Sequence, residues 1–230
     1  MALTAALPNH HRRHSLGSLI RRQSPRRIAG ELALGAAGLA IGGFALYFLK
    51  ERSQEEAEHS VIERDGAFTV RRYARLVTAE VTRYGTIAEA MDEGYRPLAQ
   101  YIAGKHDSRM SGATGRRIAM TVPVTVSPGD KPGAWTIRFF MPKAWSRASL
   151  PEPANGVALG ERVPRTLAAV RFAGRGTDRE LIAAKRDELL AWVEKRGLQT
   201  LSEPELAAYN APVVPGALRR NEWWVEVGSK

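Results

Sequence analysis

The chain has 230 residues, 44% of them apolar, and a net charge of +10, which suffices for one or two domains with a real core. It contains no cysteine, which excludes thiol catalysis, cysteine-ligated zinc, iron–sulfur clusters and disulfides. Most of the surplus charge lies after residue 59 and favours anionic ligands, acidic lipids or nucleic acid, or is simply a solvated arginine-rich surface. No basic motif interleaved with aromatics is present, so nucleic acid is not expected as a partner.

Residues 1–30 form a polar, basic tail with Arg12, Arg13, Arg21, Arg22, Arg26 and Arg27. Leu32 to Leu49 then runs without a charge. As a helix this stretch is about 27 Å long, close to the hydrocarbon thickness of a bilayer. The excess of arginine before it predicts a single-pass inner-membrane anchor over 31–50, with a cytoplasmic N-terminus and a periplasmic domain. A cleaved signal peptide, a twin-arginine signal and a buried helix compete with this reading. No small-x-small site follows the run, the arginine pairs lack the surrounding motif, and nothing in residues 1–59 would cover a buried helix. Residues 51–60, with Glu51, Glu55, Glu56 and Glu58, read as a charged linker.

From residue 61 to 228 a unit is repeated. Arg72-Tyr73-Ala74-Arg75 and Thr78-Ala79-Glu80-Val81 are echoed by Arg162-Val163-Pro164-Arg165 and Ala168-Ala169-Val170. Each copy suits two alternating strands in a hairpin. Thr86-x-x-Glu89 and Thr177-x-x-Glu180 are capping-box signatures opening a helix. Ile87, Met91, Tyr95, Leu98 and Ile102 form one apolar stripe, interrupted by Gly94 and Pro97, where a kink is expected. Leu181, Ile182, Leu189, Trp192 and Val193 form the other. Each helix precedes a proline-containing strand, Ala119–Val124 or Ala208–Val213, and an aromatic strand, Trp135–Phe140 or Glu222–Val227. The expected fold is α+β: a duplicated β-β-α-β-β unit closing into a pseudo-twofold, distorted β-barrel flanked by two helices.

Several segments in series resemble one family. They are Arg96-Pro97-Leu98-Ala99-Gln100-Tyr101-Ile102, Ile118-Ala119-Met120-Thr121-Val122-Pro123-Val124, Phe139-Phe140-Met141-Pro142-Lys143, Leu150-Pro151-x-Pro153, Tyr209-Asn210-Ala211-Pro212 and Arg219-Arg220-Asn221-Glu222-Trp223-Trp224-Val225. Together they are similar to the SOUL haem-binding protein family. The resemblance implies a distorted barrel with two helices and non-covalent binding of haem or a related tetrapyrrole, in storage, buffering or transfer. Some members carry a histidine, proposed as the axial ligand, where this chain has Arg72. A guanidinium stays protonated and cannot ligate iron.

Met91, Tyr95, Leu98 and Met120 are the expected apolar slot for such a ring. Lys105, Arg116 and Arg117 are expected at its mouth, facing the propionates. Each also has an ordinary reading, as core residues or solvated loop cations. Of five histidines, His10, His11 and His14 lie in the basic tail and His59 in the charged linker, which leaves His106 as the candidate iron ligand. The competing function is a small-molecule sensor or effector-binding module with a different flat amphiphilic ligand. A polar, cation-lined cleft between helices and sheet favours a tetrapyrrole, whereas an open aromatic cleft with a buried acid favours cationic drugs. No Gly-x-Ser-x-Gly elbow or phosphate loop appears, so catalysis is not expected.

Overall fold

In the computed structural model, residues 54–104, 117–154 and 156–229 are described. The anchor read at 31–50, and Lys105, His106 and Arg116, lie outside them. Among the described residues no helix is long and apolar enough to cross a membrane. Lys50–Lys230 is one compact unit, and both of its apolar clusters are built from residues within it.

The elements in order are β1 (Glu55–Glu56), β2 (His59–Asp65), β3 (Phe68–Tyr73), β4 (Leu76–Tyr84), α1 (Ile87–Ile102), β5 (Thr121–Val122), β6 (Val124–Pro128) and β7 (Ala134–Phe140). The second half has β8 (Ala158–Arg162), β9 (Arg165–Phe172), α2 (Arg179–Lys195), β10 (Leu198–Thr200), β11 (Glu205–Ala208) and β12 (Asn221–Ser229). Strands therefore begin at Glu55, inside the stretch read as a linker.

The duplication is present, but its first strands are exchanged. The main sheet runs β2-β3-β9-β12-β11-β6-β7-β4-β8, with β10 attached to β12. β3 does not pair with β4 as a hairpin. It pairs antiparallel with β9 of the other half, Tyr73 opposite Arg165. β8 likewise pairs with β4, Arg162 opposite Leu76. Only Ala74 and Arg75 link β3 to β4, and only Val163 and Pro164 link β8 to β9. Each link joins strands six places apart in the sheet. On a flat sheet that is about 29 Å, whereas two linking residues reach about 11 Å. The sheet must therefore curl back on itself. It does not close: β2 and β8 remain its two edges, so the expected barrel is an open, strongly curled sheet.

The face bearing the helices carries the larger core. α1 and α2 pack Leu98, Tyr101, Ile182, Leu189 and Val193 against Val81, Ile137, Phe139, Trp223 and Val225. α1 opens with the full Thr86/Glu89 capping box and runs unbroken through Pro97. Gly94 is where it approaches the sheet most closely, since a Cβ there would lie 2.9 Å from Ile137 Cδ1. The glycine is thus a contact point rather than an interruption. At α2 the N-cap is Asp178, not Thr177; its carboxylate accepts from Leu181 N at 3.1 Å. Aspartate one residue later offers the stronger cap.

The proline strands also differ from expectation. Pro123 separates β5 from β6, because its nitrogen has no hydrogen to donate to a ladder. In the second half β11 ends at Ala208, and the chain turns over Ala211–Val214, where Val214 N donates to Ala211 O at 3.0 Å.

Candidate functional site

The predicted slot along α1 is split by the helix's own rotation. Ala90, Gly94, Leu98 and Tyr101 form the buried stripe. Leu98 is fully buried, so it contributes to the core and cannot line an opening. Met91 and Met120 are half-buried and pack on the same core. Tyr95 alone of the four faces outward, 44% exposed, with its ring edge-on to Phe139 at 5.3 Å.

Tyr95 lines a depression of about 350 Å³ with Asp92, Arg96, Ala99, Gln100 and Ala103. That size is at the lower end for small-molecule sites. Ala99 and Ala103 give it a low apolar floor at helical spacing, Tyr95 an aromatic wall, and Arg96 a cation. The sequence reading used Arg96 only as part of a motif and missed it as a site residue. Its signal was the i+4 spacing Asp92-Arg96-Gln100 beside Ala99 and Ala103. Arg117 is exposed on the approach to β5 and is not among these lining residues. Lys105, His106 and Arg116 fall outside the described residues, although Lys105 and His106 follow Ala103 within three positions.

A second depression, of about 740 Å³, is lined by Glu55, Glu56, Ala57, Glu58, His59, Lys143 and Ala144. His59 is not in a linker. It sits in β2 opposite Tyr73, with its ring 5.0 Å from the tyrosine ring and Nδ1 3.0 Å from Ala57 O. The lip is acidic, and its acids are engaged. Glu56 forms a two-pronged pair with Arg220 at 2.9 Å, Glu58 pairs with Lys143 at 2.8 Å, and Glu55 accepts from Lys143 N at 2.7 Å. Among the described residues no His, Cys, Asp and Glu cluster suits a metal ion.

The face of the sheet away from the helices is concave. Arg162 of β8 lies 3.1 Å from Glu205 of β11, four strand places away. This face is buried yet charged, with two acidic hubs. Glu205 accepts from Arg165 at 2.7 Å as well as from Arg162. Glu222, fully buried, takes three hydrogen bonds on each oxygen. Arg71 Nη2, Arg220 Nε and Arg220 Nη2 donate to Oε1 at 3.1, 3.0 and 2.8 Å. Arg71 Nη1, the Tyr209 hydroxyl and Trp224 Nε1 donate to Oε2 at 2.7, 3.0 and 2.8 Å. Burial alone would raise the Glu222 carboxyl, but Arg71, Arg220 and Trp224 hold it down at about 2.

The two hubs differ in what they leave open: Glu205 Oε2 is buried without a hydrogen-bond partner among the described residues, whereas Glu222 is saturated. Tyr73, Tyr209, Phe140 and Trp224 surround a buried acid, the arrangement expected for a cationic ligand. However, both carboxylate oxygens of Glu222 are saturated by internal donors and two guanidinium charges, which leaves no acceptor for a cation there. Burial also pushes the Tyr73 hydroxyl up to about 12 and that of Tyr209 well above its usual value, so both phenols are neutral in this face.

The segments that carried the family resemblance have structural work in this arrangement. The Tyr101 hydroxyl of α1 donates to Pro151 O at 2.9 Å, joining the helix motif to the Leu150-Pro151-x-Pro153 turn. Arg219 Nε donates to Val214 O at 2.6 Å, Arg220 pairs with Glu56, and Glu222 is the hub itself.

The family model described as SOUL heme-binding protein matches residues 54–226. No curated protein is similar enough to match the chain. Among solved structures, the EcmrR C-terminal domain superposes with a TM-score of 0.51 at 10% identity, covering 71% of this chain and 98% of that one. EcmrR in a complex with DNA gives 0.52 at 10% identity, over 89% and 70%. A hydrolase from Listeria innocua reaches 0.45 at 13% identity, over 79% and 98%. At such identities the first two speak for the fold alone, and the third adds nothing to it.

Proposed function

The chain belongs to the SOUL heme-binding protein family, and from that premise we propose that it holds haem or a related tetrapyrrole non-covalently, for storage, buffering or transfer rather than catalysis. The observation that carries this reading is the family match over residues 54–226. The seat is the outer face of α1. Ala99, Ala103 and Tyr95 would take the flat ring, and Arg96 would supply a cation for a propionate. His106, three residues beyond Ala103 in the sequence, would supply the iron ligand, with Lys105, Arg116 and Arg117 as further cations. The apolar run Leu32–Leu49 supports a membrane-anchored form with the domain in the periplasm.

The competing reading is a sensor or effector-binding module for a different flat amphiphile; the saturated Glu222 carboxylate weighs against a cationic ligand at that position alone. The test is a hemin titration of the purified protein followed at the Soret band, beside His106→Ala and Arg96→Ala. Saturable binding at micromolar protein is expected, with a shifted Soret maximum in His106→Ala and weaker affinity in Arg96→Ala. Absence of saturable binding by the wild type refutes the proposal.

A further inference from the structure

The turn between β11 and β12 presents its apolar residues outward. Val213 is 67% exposed and Leu218 54%, with Pro212, Pro215 and Ala217 exposed beside them. A solvated loop of this length ordinarily carries polar tips, so the pattern calls for a cover.

The turn is held in shape. Val214 is buried beneath it, and Val214 N donates to Ala211 O at 3.0 Å. Gly216–Leu218 forms a 3₁₀ turn in which Leu218 N donates to Pro215 O at 2.9 Å. Arg219 closes it from within, donating to the carbonyls of Val214 and Pro212. Two prolines fix further backbone angles. Little conformational entropy is therefore lost when the apolar tips are buried.

The turn's neighbour supplies positive charge. Gly174 N donates to Gly216 O at 3.0 Å, and the Arg175 side chain lies against Gly216. In this neighbouring stretch Arg171, Arg175 and Arg179 are exposed, against Asp178 and Glu180, while Arg219 and Arg220 are engaged by the turn's carbonyls and by Glu56 and Glu222. Asp178 is occupied as the α2 cap. Arg220, at the base of the turn, pairs with Glu56 of β1.

We propose that the 211–219 turn, with Arg175, is a docking surface for an anionic lipid bilayer, its Val213 and Leu218 side chains entering the interface. Rigid apolar tips beside arginine match the two components of interfacial binding, apolar burial and attraction to acidic headgroups. The inference is independent of the tetrapyrrole reading.

The test uses residues 50–230, the compact unit that contains both apolar clusters. It is sedimented with vesicles of phosphatidylcholine, and of phosphatidylcholine with about a third phosphatidylglycerol. Binding is expected on the phosphatidylglycerol vesicles and to weaken with salt. Val213→Ser with Leu218→Ser lowers partitioning roughly tenfold, and Arg175→Glu roughly fivefold or more. Unchanged thermal midpoints show that the variants fold. Failure of the wild type to pellet with phosphatidylglycerol vesicles, or equal pelleting by the folded variants, overturns the proposal.

Discussion

Glu222→Gln isolates the interaction on which the concave face depends. The carboxylate is fully buried and balances Arg71, itself buried, and Arg220. The amide keeps the shape, but it removes the charge and turns one acceptor into a donor facing groups that already donate. Arg220 retains Glu56 at 2.9 Å, whereas Arg71 keeps no carboxylate partner among the described residues. Breaking a buried pair from one side costs about 3–5 kcal/mol, a large share of the roughly 5–15 kcal/mol typical of a domain. Urea unfolding of residues 50–230 measures the loss as a fall in midpoint at unchanged slope. Glu222→Gln combined with Arg71→Met recovers much of it, since no guanidinium is then left unpaired. The pH dependence supplies a second reading. The folded carboxyl sits at about 2 against an ordinary value of 4.5. Its contribution, on the order of 3 kcal/mol, is therefore complete above pH 4.5 and lost as the pH falls toward 2. Glu222→Gln flattens that part of the wild-type profile. A loss below about 1 kcal/mol in the single variant, or an unaltered acid limb, refutes the argument.

Gly94→Val places side-chain atoms where Ile137 already stands, at 2.9 Å from the Cβ position; overpacking of about 1–3 kcal/mol or more appears as a lower thermal midpoint. Asp178→Ala removes the α2 cap and costs about 1 kcal/mol, measured by the same melt, whereas Thr177→Ala, at the residue the sequence suggested, leaves it nearly unchanged. Tyr95→Ala leaves stability close to wild type, because the ring is largely outside the core, but weakens hemin affinity in the Soret titration.

The duplicated unit was legible because each copy marks its helix start and its aromatic final strand. The exchange of β3 and β8 between the halves was not read, although a physical signal for it exists. Two-residue hairpins require φ > 0 at central positions, hence Asn-Gly or Gly-x. Ala74-Arg75 and Val163-Pro164 offer neither, and proline excludes such a φ. The charged concave face was hidden for a different reason. Arg71, Arg165, Glu205 and Glu222 alternate with apolar residues just as a solvent-facing row does, and only the curl of the sheet turns that row inward. On α1 the period was right and the stripe's centre was shifted: Ile87, Met91, Leu98 and Ile102 pack on the core as read, but Tyr95 does not. Ala90 and Gly94 are small and drew no weight, yet they define the buried stripe with Leu98 and Tyr101, which rotates Tyr95 to the rim.

The central claim is a tetrapyrrole seated on the outer face of α1. The direct measurement is an amide chemical-shift map of residues 50–230 titrated with a diamagnetic zinc protoporphyrin. The account predicts that the largest saturable shifts fall on residues 92–103. Shifts confined to Glu55–His59 and Lys143, around the other depression, would contradict it, as would no saturable shift at all.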